Sequence, residues 1–251
     1  MHKLITVTTD FGDQFAAAQL KTIVSCLGFH GEVIENHSVA PFSITEGAFQ
    51  IALITRFSPI GTVHLGVVDP GVGSQRRGII VKTKRFWFVG PDNGLLSPAI
   101  EKEILENTWQ IRENKISKEF STTFHGRDIF IKAAVYIAQG KKPEDFGSIR
   151  IDSLSLERIF FKTGQVLHVD YFGNIKVYWP NEITIGKNLI IKNKHSQLEL
   201  PIVKTFSDVP AGKPLAIIGS SYTLELAVNL DNASRLLNIN STDILDIAYK
   251  R

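Results

Sequence analysis

Cysteine is almost absent: Cys26 is the only thiol in 251 residues. A single cysteine excludes an internal disulfide framework and a cysteine-based zinc site. Long apolar runs are missing as well. The strongest lies near Gln50 to Ile54, far short of the about 20 residues a bilayer-spanning helix needs, so no membrane association is expected. Met1-His2-Lys3-Leu4-Ile5-Thr6-Val7 enters a strand pattern directly, with no apolar signal core or cleavage motif, and the expected location is cytoplasmic. Nor does one charge dominate. Lys and Arg number 28 against 25 Asp and Glu, a formal net charge of +3. The basic residues are scattered, the densest runs being Lys82 to Arg85 and Lys187 to Lys194, so no nucleic-acid groove is expected despite a pI of about 8.9. Hydrophobic and charged contents of 43% and 21% are those of a chain that folds.

What is present divides in two. From residue 4 to about 140, strands and helices alternate. Leu4 to Thr8, Val33-Ile34, Thr62 to Val68, Gly78 to Thr83 and Phe86 to Val89 are strand-like, whereas Gln14 to Leu27 repeats apolar residues at helical steps. Ser43 and Glu46 form a capping-box pattern ahead of a helix through Arg56, and Gly126 to Gln139 reads as a helix stopped by Gly140 and Pro143. The pattern predicts an α/β domain over 1–145 with a largely parallel central sheet. A polar linker, 146–163, leads to short β-rich runs separated by Gly, Asn, Pro and Lys, predicting a small antiparallel barrel or sandwich over 164–251. One helix is expected within it, near Leu224 to Val228.

Polar clusters follow the strand ends, where ligands of open α/β sheets bind. Asp10, in Thr9-Asp10-Phe11-Gly12, is placed to accept hydrogen bonds from a sugar diol and equally to cap a helix. Asp69 to Gly78 holds two glycines and adjacent arginines, one of which must turn toward a site or the interior; a tight β-hairpin with a structural Asp–Arg pair is the competing reading. It lacks the Gly-Lys-Ser/Thr ending of a phosphate loop. Asp92, in Gly90 to Leu96, is explained by turn chemistry. His125 begins a helix, where the dipole disfavours the imidazolium, so a neutral ring can orient water, accept its proton, or serve as a structural hydrogen-bonder. Asp170-Tyr171-Phe172-Gly173-Asn174 offers an acceptor, a stacking ring and an amide suited to a base, or a plain β-turn. Gly219 to Ala227 reads as a strand-to-helix junction with free amides.

In order, Thr9 to Gly12, Val68 to Ile79, Val89 to Pro98, Thr123 to Phe130, Val169 to Asn174 and Ser220 to Asn229 together resemble the S-adenosylmethionine hydrolases, or SAM hydroxide adenosyltransferases, relatives of fluorinases and chlorinases. The resemblance implies an N-terminal α/β domain, a C-terminal β-barrel, and a homotrimer with sites between subunits. It implies attack of a water-derived nucleophile on C5′ of S-adenosyl-L-methionine, giving adenosine and L-methionine; because the sulfonium is already an excellent leaving group, no metal and no other cofactor is expected. It maps the catalytic set onto Asp69, Arg76 and His125. Asp10 falls where the ribose is held, Asp170 at the methionine amine, Asn174 at the adenine, and Ser220 at the methionine carboxylate. Phe172, Glu225 and the backbone near Val228 complete the expected binding set. Halogenases carry an aromatic where Asp69 stands and lack His125, so hydrolysis is favoured over halide transfer. Two departures stand out: a shortened loop after Gly12, which leaves Asp13 as the candidate second acidic contact, and Gly219-Ser220-Ser221-Tyr222 in place of Asn-Ser-x-Gly. Those departures keep a non-catalytic adenosine or S-adenosylmethionine sensor open as the alternative.

Overall fold

The computed structural model describes residues 3–12, 14–193, 197–241 and 243–250; Asp13 lies outside them. The chain forms two units, which divide between Ile159 and Phe160.

The first unit runs β1 (Leu4–Thr9), α1 (Gln14–Cys26), β2 (Glu32–Asn36), α2 (Ile44–Phe57), β3 (Val63–Val67), β4 (Gly78–Thr83), β5 (Trp87–Pro91), α3 (Ser97–Ile100), β6 (Leu105–Gln110), α4 (Glu113–Ile116), a π-helical turn (Gly126–Phe130), α5 (Ile131–Ala138) and β7 (Ile149–Arg150). Its seven-stranded sheet has the order β2-β1-β3-β5-β4-β6-β7. β2, β1, β3 and β5 are parallel, and β4, β6 and β7 pair antiparallel. β7 therefore adds to this sheet from within the stretch expected as linker. The hairpin reading of Asp69 to Gly78 is corrected, because β5 lies between β3 and β4.

Alternation along β3 shows how the layers form. Leu65 and Val67 share a core with Leu20 and Val24 of α1 and Ile131, Ala134 and Val135 of α5. Gly66 between them points the other way, where a Cβ would lie 2.6 Å from Ile51 of α2. Helices thus cover both faces, which is why β1 and β3 are buried along their whole length. Ser43 caps α2 as expected, its side chain accepting from the Glu46 amide at 3.4 Å. The helix expected from Gly126 opens instead with the π turn, which the Ile131 amide closes by bonding to the Gly126 carbonyl.

The second unit comprises β8 (Val166–Val169), β9 (Ile175–Val177), β10 (Asn188–Lys192), β11 (Gln197–Pro201), β12 (Pro214–Ile218), β13 (Leu224–Val228), α6 (Ala233–Leu237) and β14 (Asp246–Tyr249). These strands make antiparallel sheets ordered β12-β13-β9-β8 and β11-β10-β14, which share one apolar core. Single bridges, Ile202 to Ala216 and Gln165 to Ile244, join the edges of the two sheets. The helix expected at Leu224 to Val228 is a strand. Every residue of it is buried, so the two-residue polar alternation that marks a half-exposed strand is missing. The unit's helix, α6, follows it, capped by Asn232, which accepts from the Arg235 amide at 2.8 Å. Among the described residues no helix is long and apolar enough to cross a membrane.

Candidate active site

Strand β1 lies between β2 and β3, and the connections that leave the carboxyl ends of β1 and β3, to β2 and to β4, run to opposite sides of the sheet. Such a switch point opens a crevice beyond the strand ends. Thr9 of β1 sits opposite Val67 of β3, which places Asp10 and Asp69 just past paired positions. Gly126 closes the same corner: a Cβ on it would come 3.0 Å from the Phe11 ring and 3.4 Å from Val67. The π turn thereby brings His125 to the end of β3.

Asp69, Arg76 and His125 meet there. The Arg76 Nε donates to both Asp69 carboxylate oxygens at 3.0 and 2.9 Å, and Nη2 donates to Oδ2 at 2.6 Å. Nη2 also lies 2.9 Å from His125 Nδ1. The side chains of Asp69, Arg76 and His125 are 6%, 9% and 4% exposed, so the charge pair is desolvated and its fork geometry fixed. The guanidinium rests over the Phe130 ring, and the Phe120 ring stands edge-on to His125. A guanidinium only donates, so when this hydrogen bond is made Nδ1 accepts and the neutral imidazole carries its proton on Nε2. Glu113, the first residue of α4, was not foreseen here. Its Oε1 lies 3.5 Å from Arg76 Nη1 and 3.4 Å from His125 Nδ1. Nothing in the sequence distinguishes it from a solvated acid in a polar stretch.

Of the adjacent arginines, Arg76 turns into the cluster while Arg77 donates to Asp92 at 2.5 Å and to Ser155. Asp92 also accepts from the Glu157 amide at 2.9 Å, which gives it a structural task consistent with its turn position. Asp10 accepts from the Phe42 amide at 2.8 Å, and Phe42 holds a left-handed φ of 64°. Phe11 stacks on His37 and meets Phe124 edge-on, while Thr9 Oγ1 lies 2.7 Å from His37 Nδ1. His37 too escaped the sequence reading.

The second unit gathers its own polar group. Asp170 accepts from the Phe172 and Asn174 amides at 3.0 and 2.9 Å, from Asn174 Nδ2 at 3.3 Å and from Lys176 Nζ at 2.8 Å. Burial alone would raise its carboxyl, but the Lys176 ammonium and the Asn174 donors outweigh that and hold it below the usual carboxylate range. Lys176 is the register partner of Glu225 and lies 3.4 Å from its Oε2. A lysine in a short β run carries no sequence signal of burial, yet Lys176 is 8% exposed and Glu225 4%. Phe172 is exposed, and its ring meets that of Tyr171 edge-on.

The Gly219 to Ala227 stretch is corrected: it joins β12 to β13, so Ser220 and Ser221 sit in a hairpin loop and no helix start offers its amides. Gly219 is nonetheless explained, since a Cβ there would fall 2.2 Å from Glu225 Oε2. Tyr222 has a φ of 60°, the conformation glycine would take freely. Ser220 is exposed, and Val228 is buried, its carbonyl accepting from the Asp231 amide at 3.2 Å. Among the described residues no cluster of three or more His, Cys, Asp or Glu is arranged to hold a metal ion.

Known proteins resemble this chain over nearly its whole length. Residues 5–147 match the SAM hydroxide adenosyltransferase N-terminal domain, and 164–246 match the C-terminal domain of the same family. The (R)-S-adenosyl-L-methionine hydrolase of Methanocaldococcus jannaschii is 31% identical, covering 98% of this chain and 96% of its own. A fluorinase from Actinoplanes sp. is 25% identical over 77% of this chain and 79% of its own. The crystal structure of an uncharacterized conserved protein from Thermotoga maritima superposes with a TM-score of 0.88 at 29% identity, covering 98% of this chain and all of that one. With both domains matched in order, the chain belongs to the SAM hydroxide adenosyltransferase family.

Proposed function

We propose that this protein hydrolyses S-adenosyl-L-methionine at C5′ to adenosine and L-methionine, with Asp69, Arg76 and His125 as the catalytic set. The observation that carries the reading is the buried junction of those side chains at the carboxyl end of β3, in a chain 31% identical to a named (R)-S-adenosyl-L-methionine hydrolase. The sulfonium already departs readily as a neutral thioether, so the reaction needs a nucleophile rather than a general acid. Water attacks C5′, the oxygen–carbon bond forms as the carbon–sulfur bond breaks, and the bonding pair leaves on sulfur. One proton must leave the water. Arg76 supplies fixed positive charge toward the developing hydroxide, Asp69 holds the guanidinium fork in place, and His125 either orients the water through Nε2–H, its proton then passing to solvent, or accepts that proton on a bare Nε2. Assistance of this type is worth about 10²–10⁴-fold.

Binding roles follow from the same reading. Asp10 holds the ribose hydroxyls, Asp170 and Ser220 the methionine amine and carboxylate, and Asn174, Phe172 and the backbone near Val228 the adenine, with Glu225 supporting Asp170 through Lys176. A homotrimer with sites shared between neighbouring subunits and a cytoplasmic location belong to the proposal as well. The test is incubation with each sulfonium epimer of S-adenosyl-L-methionine, following adenosine by chromatography against a heat-killed control. Adenosine and methionine in equal amounts support the reading. Ligand binding by calorimetry without product from either epimer refutes it and favours a sensor.

A further inference from the structure

His125 Nδ1 lies between a donor and an acceptor. Arg76 Nη2, at 2.9 Å, can only give a hydrogen bond, whereas Glu113 Oε1, at 3.4 Å, can only receive one when ionised. The first contact keeps Nδ1 bare and Nε2 protonated, a tautomer that can orient water but cannot take its proton. The second would hold a proton on Nδ1 and bare Nε2, the tautomer of a base. We infer that Glu113 is the positioning residue that turns His125 from a water-orienting donor into the acceptor of the nucleophile's proton; this rests on the hydrolytic reading above.

Charge supports the assignment. The groups facing His125 are Arg76, Asp69 behind it, and Glu113, with the Phe120 ring along the imidazole edge. Asp69 is committed to Nε and Nη2 of Arg76, and its charge cancels that of the guanidinium. An imidazolium beside a neutral pair would lack a counterion. Glu113 supplies it: its Oε1, which accepts from Arg76 Nη1 at 3.5 Å, lies 3.4 Å from Nδ1, within reach of an Nδ1–H that Arg76 cannot accept. Arg76 and Glu113 also line an open polar cleft of about 320 Å³ with Arg112, Asn114 and Gln110, so the Glu113 side chain meets solvent while His125 is 3% exposed. In the step, water loses one proton to Nε2 as its oxygen bonds C5′, and the pair from the broken carbon–sulfur bond goes to sulfur. The resulting imidazolium is held between Glu113 and the product until Nε2 returns its proton to bulk water.

The experiment compares the full-length wild type with Glu113→Leu, which removes the acceptor at similar volume, and Glu113→Gln, which keeps an acceptor without charge. Nitrogen-15 spectra of the histidine rings, with His125 assigned from His125→Asn, read the tautomer without turnover. The expected result is a mixed Nδ1–H and Nε2–H population in the wild type and the Nε2–H form alone in Glu113→Leu. In turnover, kcat falls roughly tenfold or more in Glu113→Leu and less in Glu113→Gln, with KM little changed. An unchanged His125 spectrum in Glu113→Leu, or an unchanged kcat, overturns the inference. Failure of the wild type to release adenosine instead defeats the hydrolytic reading, while the spectra still decide the tautomer.

Discussion

Arg76 Nη2 is shared: it lies 2.6 Å from Asp69 Oδ2 and 2.9 Å from His125 Nδ1, so one guanidinium nitrogen ties the imidazole to the counterion. Lysine cannot reproduce that fork, because its ammonium is a single point charge on a flexible stem. Arg76→Lys should therefore lower kcat about 10²-fold, and Arg76→Ala at least as much. Adenosine affinity, read by calorimetry, should stay within severalfold of wild type in both. Full turnover in Arg76→Ala would remove Arg76 from the catalytic set.

Asp10 has a structural partner in the Phe42 amide, so deletion of its side chain would confound two effects. Asp10→Asn keeps an oxygen for that amide and loses only the charge and one acceptor. It should raise KM by about tenfold with kcat nearly constant, the mark of a contact equally strong in ground and transition states. A selective fall in kcat would show that Asp10 acts on the chemistry.

Lys176 separates two carboxylates, the half-buried Asp170 and the buried Glu225. Lys176→Met should destabilise the protein by about 3–5 kcal/mol in urea unfolding, since it leaves the buried Glu225 carboxylate unpaired. Acid sensitivity should change too. The native Asp170 carboxyl titrates below its ordinary 3.8, so the unfolded chain binds the proton first as pH falls. Its stabilising share is complete above that ordinary value and lost as pH drops through the depressed native one. Asp170→Asn should flatten this part of the stability curve.

His64 offers a pH dependence unrelated to the site. It is buried between Phe86 and Phe88, bonds Thr6 Oγ1 at 2.7 Å, and burial lowers its pKa from 6.5 to about 3. The folded form thus binds the proton less readily than the unfolded chain. Stability from this group is full above 6.5 and lost as pH falls toward 3, by about 1.4 kcal/mol per unit. Urea midpoints measured between pH 7 and 4.5 should fall less steeply in His64→Phe than in wild type. Parallel slopes would mean that His64 is already solvated in the native state.

Local signals were legible and long-range pairings were not. Ser43 announces α2 because a cap acts within three residues, and β1 and β3 show as β-branched or apolar runs because both their faces are buried. The same double burial hid β13, whose Leu-Glu-Leu-Ala-Val alternates for a single step and includes a buried acid that meets Lys176 across the strand pair. Asp69 and Arg76 are visible as a pair within one loop. His125 joins them from 49 residues away, and the ordered motifs of the family resemblance rather than local pattern linked it to them. Glu113 and His37 had neither spacing nor motif to mark them, since only the packing of α4 and of the β2 end brings them to the cluster and to Phe11.

The most direct test of the central claim is to run the reaction in oxygen-18 water and weigh the adenosine. Water attack at C5′ predicts that adenosine formed by the wild type carries the heavy oxygen in its 5′-hydroxyl, and that His125→Ala and Arg76→Ala release it more than tenfold more slowly. Adenosine lacking the label, or labelled adenosine formed at the wild-type rate by both variants, would contradict the account.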